Sequence, residues 1–345
     1  MFPALAVGEA LVNRGVAREA VLFVGGSRLE ATAVPAAGFP FIGVELAGLQ
    51  RRLTAANLRV PGVVLRAVRA LREEFTGREV RVLLGLGSYV TVPAGWAARR
   101  AGASLVLSEQ NAEAGLANRV MARFATRVFG AFPETRHLRA EWVGNPLRAP
   151  LARFDRRRLA EEAARRYGLS PHVPTLGVFG GSLGAGVLND AVAELARTWE
   201  GGPLQIVHLA GRLHAARMRP EVAARDVRWR VIEFEERMEL FYAAADLVVA
   251  RAGGAVAELT ATRTPALLVP GSFGSGRHQR ANAGVLEEAG AAVVLDEGRL
   301  GSLADVVAGL LSDRDRLAEM AEAAGKLARP DAAERIAEVL EGLHG

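Results

Sequence analysis

The sequence predicts an α/β protein built from two doubly wound, Rossmann-like domains, and three observations carry that prediction. Short Leu-rich or β-branched runs recur, each followed by a turn and then by a helical pattern. They fall in two series, separated by the turn-rich Val143-Gly144-Asn145-Pro146-Leu147-Arg148 and a highly charged helix expected over Arg156–Tyr167. With 345 residues, 50% of them hydrophobic, each half can bury a core of its own.

Taken in order, the first series places strands at 20–24, 81–84, 104–107 and 127–132. The second places them at 175–179, 204–209, 230–232, 247–250, 266–269 and 292–295. The expected division is residues 1–147, residues 148–328, and a C-terminal helix over 329–345 that packs back on the first domain. A ligand is expected in a central cleft faced by both domains, near the carboxyl ends of the strands. The chain opens on Phe2-Pro3-Ala4-Leu5-Ala6-Val7, which reads as a helix. A doubly wound domain normally enters through a central strand, so a strand and its turn are expected ahead of Met1.

Composition narrows the function. No apolar run approaches the ~18 residues that span a bilayer, and no basic segment followed by an apolar one opens the chain. Cysteine is absent, which removes disulfides, thiolate metal sites and cysteine nucleophiles. The six His are scattered without metal-ligand spacing, so metal-free chemistry is favoured. Charge is uneven: through Leu147 there are 18 Arg, 11 Glu and no Asp, giving +7, and the remainder is −2. A cationic first half points to a polyanionic partner, either nucleic acid or an anionic membrane surface. With 6% aromatic residues and no reading-head motif, nucleic acid is disfavoured. Between Arg51 and Arg72, six arginines interleave with apolar residues as a basic amphipathic stretch, although a helix packed on its own domain would show the same pattern.

Five turns carry candidate chemistry. Gly180-Gly181-Ser182-Leu183-Gly184-Ala185 joins a strand to a helix, where small residues and free amides can seat a phosphate. Its spacing is neither Gly-x-Gly-x-x-Gly nor a Walker loop. In Arg251-Ala252-Gly253-Gly254-Ala255-Val256-Ala257-Glu258, Glu258 stands one turn into a helix, where it can accept two ribose hydroxyls or merely offset the helix dipole. The turn 270–277 leads into His278-Gln279-Arg280-Ala281-Asn282-Ala283. In the first half, Gly85-Leu86-Gly87-Ser88-Tyr89 and Ser108-Glu109-Gln110-Asn111 follow strands.

Together with Val143 to Arg148 and Glu233-Phe234 followed by Met238, these motifs stand in the order seen in the MurG family. The resemblance covers essentially the whole chain. It implies a GT-B fold and an inverting, metal-independent transfer of N-acetylglucosamine from UDP-N-acetylglucosamine to the C4 hydroxyl of the muramyl sugar of lipid I. It implies Arg148 and Ser182 on the diphosphate side, backbone contacts at Gly254 and Ala255, and Glu258 on the ribose. The uracil edge falls to the backbone at Glu235, beside Phe234 and Met238. His278 and Gln279 would hold the sugar, and Tyr89 and Asn111 would line the acceptor side. The resemblance assigns no catalytic base, and Glu109 is the one candidate; no cofactor is implied. The implied partners are UDP-N-acetylglucosamine, lipid I, an anionic membrane surface and other cell-wall synthesis proteins, at the cytoplasmic face of the membrane. The sequence departs from the family at Ser108, where a His is usual, and at Arg277, where an Asp is usual. The 251–258 turn is one residue shorter. The open alternatives are another GT-B UDP-sugar glycosyltransferase with a changed donor or acceptor, and a nucleotide-sugar-binding relative without catalysis.

Overall fold

The computed structural model describes all residues except Arg28, 45–59, Ser182, 273–275 and Gly345. The chain divides into two compact units, Met1–Arg148 with Asp331–Gly345, and Ala149–Pro330.

Unit 1 contains α1 (Phe2–Asn13), β1 (Phe23–Gly25), α2 (Glu30–Ala36), β2 (Phe41–Gly43), α3 (Val60–Gly77), β3 (Val82–Gly85), α4 (Thr91–Arg100), β4 (Ser104–Glu109), α5 (Leu116–Met121), β5 (Arg127–Gly130) and β6 (Glu141–Trp142). Its strands form two parallel sheets, β1-β2 and β3-β4-β5-β6, where one was expected. Neither β1 nor β3 has a second partner strand among the described residues, and both are half-buried along most of their length. By contrast, β4 is buried from Leu105 to Glu109.

Unit 2 contains α6 (Ala149–Ala152), α7 (Arg156–Tyr167), β7 (Thr175–Phe179), α8 (Gly186–Thr198), β8 (Leu204–Leu209), β9 (Val227–Ile232), α9 (Met238–Ala244), β10 (Leu247–Ala250), α10 (Ala255–Thr262), β11 (Ala266–Leu268), α11 (Gly276–Glu288), β12 (Ala292–Val294), α12 (Leu303–Ser312) and α13 (Arg314–Leu327). Its six strands make one parallel sheet in the order β12-β11-β10-β7-β8-β9. The four central strands are buried throughout, as near-continuous apolar runs in a sheet covered on both faces should be. The last helix, α14 (Ala332–His344), belongs to unit 1. Its Ile336, Ala337 and Leu340 share a core with Ala6, Val7 and Ala10 of α1, and with Val106 and Phe129 from the sheet.

Several strand limits differ from expectation. The run 20–24 becomes a 3-10 turn at Arg18–Ala20 followed by β1, so the strand begins later. β9 begins at Val227 rather than at 230, because Arg228 and Arg230 alternate with buried Val227 and Trp229 and hide the apolar face of an edge strand. β2 and β6, of three and two residues, were not anticipated. α7 is capped by Asp155, whose carboxylate accepts from the Arg157 and Arg158 amides, and it ends at Gly168 with φ 62°. Of the basic stretch, 51–59 lies outside the described residues, while Arg66, Arg69 and Arg72 are exposed on α3.

Candidate functional site

In unit 1 the turns after β3 and β4 are joined through two buried residues, Glu109 and Asn118. Glu109 ends β4 at 2% exposure. Its Oε1 accepts from the Gln110 amide, the Asn111 amide and Asn111 Nδ2, each at 3.0 Å. Its Oε2 accepts from the Gly115 amide at 3.0 Å and Asn118 Nδ2 at 2.9 Å. Five donors fill the acceptor sites of one carboxylate. Glu109 thus braces the loop that carries Asn111, and its oxygens have little capacity left for a substrate proton. Asn118, also fully buried, touches Gly87 so closely that a Cβ there would lie 2.8 Å from Nδ2; Gly87 also has φ +77°. Tyr89 follows that turn half-exposed, with its hydroxyl set over Gly26. The structure thereby links the settings of Tyr89, Glu109 and Asn111. Arg148 closes the first segment of this unit, and its guanidinium lies 5.3 Å from the ring centroid of Phe2.

In unit 2 four of the turns at the carboxyl edge of the sheet carry the expected site residues. After β7, Gly181 and Gly184 adopt φ +100° and +84°, and the Gly184 amide donates to the Gly181 carbonyl at 2.9 Å. Ser182 lies outside the described residues. α8 starts at Gly186, so its first-turn amides open beside this turn.

After β9, Phe234 stacks with Arg212 at 5.0 Å. The Glu235 carboxylate is buried and bonded within the protein. It accepts from Arg166 Nε and Nη2 at 2.7 and 2.8 Å, from the Tyr167 hydroxyl at 2.7 Å and from the Arg237 amide at 2.9 Å. Burial would raise this carboxyl, but the hydrogen bonds from Arg166, Arg237 and Tyr167 outweigh it and hold the group below its usual range. Burial first, then Glu235, push the Tyr167 phenol up. The side chain thus pins the turn to α7, and Met238 opens α9.

After β10, Gly254 and Ala255 lead into α10, and Glu258 is held in its first turn by Tyr242, whose hydroxyl donates to Oε2 at 2.8 Å. Tyr242 is fully buried and packs edge-on against Phe179 and Phe241. No local spacing announces Tyr242, which lies 16 residues from Glu258. The turns after β10 and β11 are stitched together. Arg251 donates to the Val269 carbonyl at 3.0 Å and pairs with Glu297, which also accepts from the Ser272 amide at 3.0 Å. Asn282 Nδ2 donates to the Ala252 carbonyl at 3.0 Å, and the Gly271 amide donates to Gln279 Oε1 at 2.9 Å. His278 and Gln279 both lie, partly buried, in the first turn of α11.

The sequence of each unit matches a known domain model. Residues 1–130 match the Glycosyltransferase family 28 N-terminal domain, and residues 175–336 match the family 28 C-terminal domain. The chain belongs to glycosyltransferase family 28. This family-28 chain is 42% identical to a Halorhodospira halophila protein, over all of this chain and 96% of that one. A Nocardioides protein is 40% identical, over 90% of this chain and 86% of its own length. Both are named UDP-N-acetylglucosamine--N-acetylmuramyl-(pentapeptide) pyrophosphoryl-undecaprenol N-acetylglucosamine transferase. Among solved structures, Acinetobacter baumannii MurG superimposes with a TM-score of 0.80 at 27% identity, over 99% of this chain and 95% of that one. A Neisseria meningitidis UDP-GlcNAc 2-epimerase bound to UDP-GlcNAc shares the fold at a TM-score of 0.65 and 11% identity. The GT-B architecture of the family-28 chain is thereby shown.

Proposed function

We infer that this chain is an inverting hexosyltransferase that moves N-acetylglucosamine from UDP-N-acetylglucosamine to the C4 hydroxyl of the N-acetylmuramyl-pentapeptide of undecaprenyl-linked lipid I, giving lipid II. The observation that carries the reading is the 42% identity, over the full chain, to a transferase named for that reaction. The four turns of unit 2 support it chemically. The Gly180 to Ala185 turn and the start of α8 offer amides and the positive end of a helix dipole to a diphosphate. Negative charge grows on the departing UDP as the sugar transfers, so donors aimed there act most strongly in the transition state. Ser182 and Arg148 join them on the phosphates, with backbone contacts at Gly254 and Ala255. Glu258, oriented by Tyr242, takes the ribose hydroxyls; the backbone at Glu235, between Phe234 and Met238, meets the uracil; and His278 and Gln279 hold the sugar. Tyr89 and Asn111 serve the acceptor, with Glu109 holding the Asn111 loop in shape.

The acceptor is a lipid, and α3 offers a surface for its membrane. Leu65 is 66% exposed beside exposed Arg66, Arg69 and Arg72. That pairing suits an anionic cytoplasmic leaflet. Among the described residues no helix is long and apolar enough to cross a membrane.

The deciding assay measures UDP release from UDP-N-acetylglucosamine with lipid I and, separately, with other lipid-linked and small-molecule acceptors. Lipid I should be strongly preferred. Turnover only with another acceptor would replace this reading with a different glycosyltransferase activity. UDP binding without turnover on any acceptor would make the chain a nucleotide-sugar-binding protein.

A further inference from the structure

His208 lies in β8, between β7 and β9 in the unit 2 sheet and near the end of its strand, with no exposed surface. A Val or Leu would fill that space without the cost of burying an imidazole. The ring is instead engaged at one nitrogen: Nε2 lies 3.1 Å from Oδ1 of Asn189, itself fully buried in the first turn of α8. Asn189 Nδ2 donates to the Ala210 carbonyl at 2.8 Å, and the Asn189 amide donates to the Ala185 carbonyl at 2.9 Å. A carbonyl needs a donor, so the Ala210 contact fixes which end of the amide faces His208. The end facing it is the oxygen, so His208 must donate from Nε2. Its Nδ1 has no hydrogen-bond partner, and Trp229 stacks on the ring at 5.9 Å and 15°. Burial pushes the imidazole down to about 3, which keeps it neutral and in this single tautomer at physiological pH.

The chain of contacts ends at the glycine turn. Ala210 is followed by Gly211 at φ +83°, and a Cβ on Gly211 would lie 2.2 Å from the Gly184 nitrogen and 2.5 Å from the Leu183 carbonyl carbon. In return, a Cβ on Gly184 would lie 2.1 Å from the Ala210 oxygen. The two turns therefore meet backbone to backbone, and the Ala210 carbonyl is the point at which Asn189 and Gly184 converge. We propose that His208 is a positioning residue for the donor diphosphate: through Asn189 it locks the Ala210-Gly211 backbone that forms the floor of the Gly180 to Ala185 turn. The proposal rests on the reading of that turn as the diphosphate seat. His208 touches no substrate, and it acts by removing the freedom of the amides that do.

The test compares UDP with uridine, which lacks the phosphates, by titration calorimetry on the folded full chain. His208→Phe keeps a ring for Trp229 to stack on and removes the donor. It should weaken UDP binding about tenfold and raise the KM for UDP-N-acetylglucosamine to match, while leaving uridine affinity and the KM for lipid I unchanged. His208→Gln places an amide donor where Nε2 stood and should restore UDP affinity, whereas the shorter His208→Asn should not. If the Phe variant does not fold, the Gln and Asn pair carries the same comparison. Equal UDP affinity in wild type and His208→Phe overturns the proposal, as does a Gln variant no better than the Asn variant. Gly184→Ala separates this failure from that of the underlying reading. Its Cβ must displace the turn, so unchanged UDP affinity there means that the turn is not the diphosphate seat. Weakened UDP binding in Gly184→Ala, with none in His208→Phe, sinks only the role of His208.

Discussion

In unit 2 the six strands form one continuous parallel sheet, and its four central strands are buried end to end; in unit 1 the described strands form two sheets, and β1 and β3, each at a sheet edge, stay half-buried along most of their length. The same contrast runs through two of the buried carboxylates, Glu235 and Glu109. Glu235, in unit 2, is neutralised by a two-pronged contact with Arg166. Glu109, in unit 1, is held only by amide and side-chain NH groups among its described contacts. One unit is organised by a continuous sheet and an ion pair, the other by a single hydrogen-bonded hub. A hub concentrates the consequence of losing one residue, and a continuous sheet spreads it.

The largest expected effect therefore falls on unit 1. Glu109→Ala leaves five NH groups without their acceptor, including that of fully buried Asn118, and should cost about 3 kcal/mol or more in that unit. Glu109→Gln, which puts an NH2 where one oxygen accepted, should fall between wild type and Ala. Hydrogen exchange under increasing urea can follow β4 and β7 separately. The β4 amides should open early in both variants, with β7 and UDP affinity unchanged. Early opening of both units, or of neither, would remove the distinction between hub and sheet.

Much of this contrast was readable in the chain, but not all of it. The turns after β7 and β10 stood out because a β-branched run, then glycines, then a helical pattern is a local signal. Glu258 was conspicuous for the same reason. The residues that orient these turns were not: Tyr242 beneath Glu258, Asn118 between two loops, Glu297 on Arg251 and His208 behind Asn189 meet their partners only through the tertiary fold. Nothing near Glu235 in sequence shows that Arg166, 69 residues away, occupies its carboxylate. The split of the unit 1 sheet was likewise invisible, since β2 and β6 are too short to form a periodic pattern.

A smaller effect separates the units by pH. His208 has a folded value of about 3 against an ordinary 6.5, so between these the unfolded chain binds the extra proton. Stability of unit 2 is thus complete above about pH 6.5 and declines as pH falls, by about 2 kcal/mol at pH 5. Glu235 adds to this below its ordinary 4.5, because its depressed folded value stabilises only the ionised state and that stabilisation fades as the carboxylate protonates. Urea unfolding of wild type, His208→Gln and Arg166→Met at pH 7.5, 6, 5 and 4 should show a falling curve for wild type and a flatter one for the His208 variant. Arg166→Met should lower stability at pH 7.5 and flatten the curve below pH 4.5. Parallel curves for all three proteins would place the acid lability of unit 2 elsewhere.

The smallest effect on folding should come from α3, where exposed residues have no core to lose. Leu65 at 66% exposure contributes little to unit 1, so Leu65→Ser should change its stability by less than about 0.5 kcal/mol. Inserted among lipid headgroups, the same side chain would bury most of its apolar surface, and losing it should weaken partitioning onto anionic vesicles about tenfold. Charge acts beside it. Arg66 and Arg69 lie three residues apart on the helix, and reversing both should remove most of the salt dependence of vesicle binding while donor affinity stays the same. Sedimentation with phosphatidylglycerol vesicles at low and high salt separates the two contributions: Leu65→Ser should lower binding at every salt concentration, and the double Arg variant chiefly at low salt. If neither substitution moves the partition coefficient, the exposed face of α3 is simply solvated, and the membrane surface proposed for it is withdrawn.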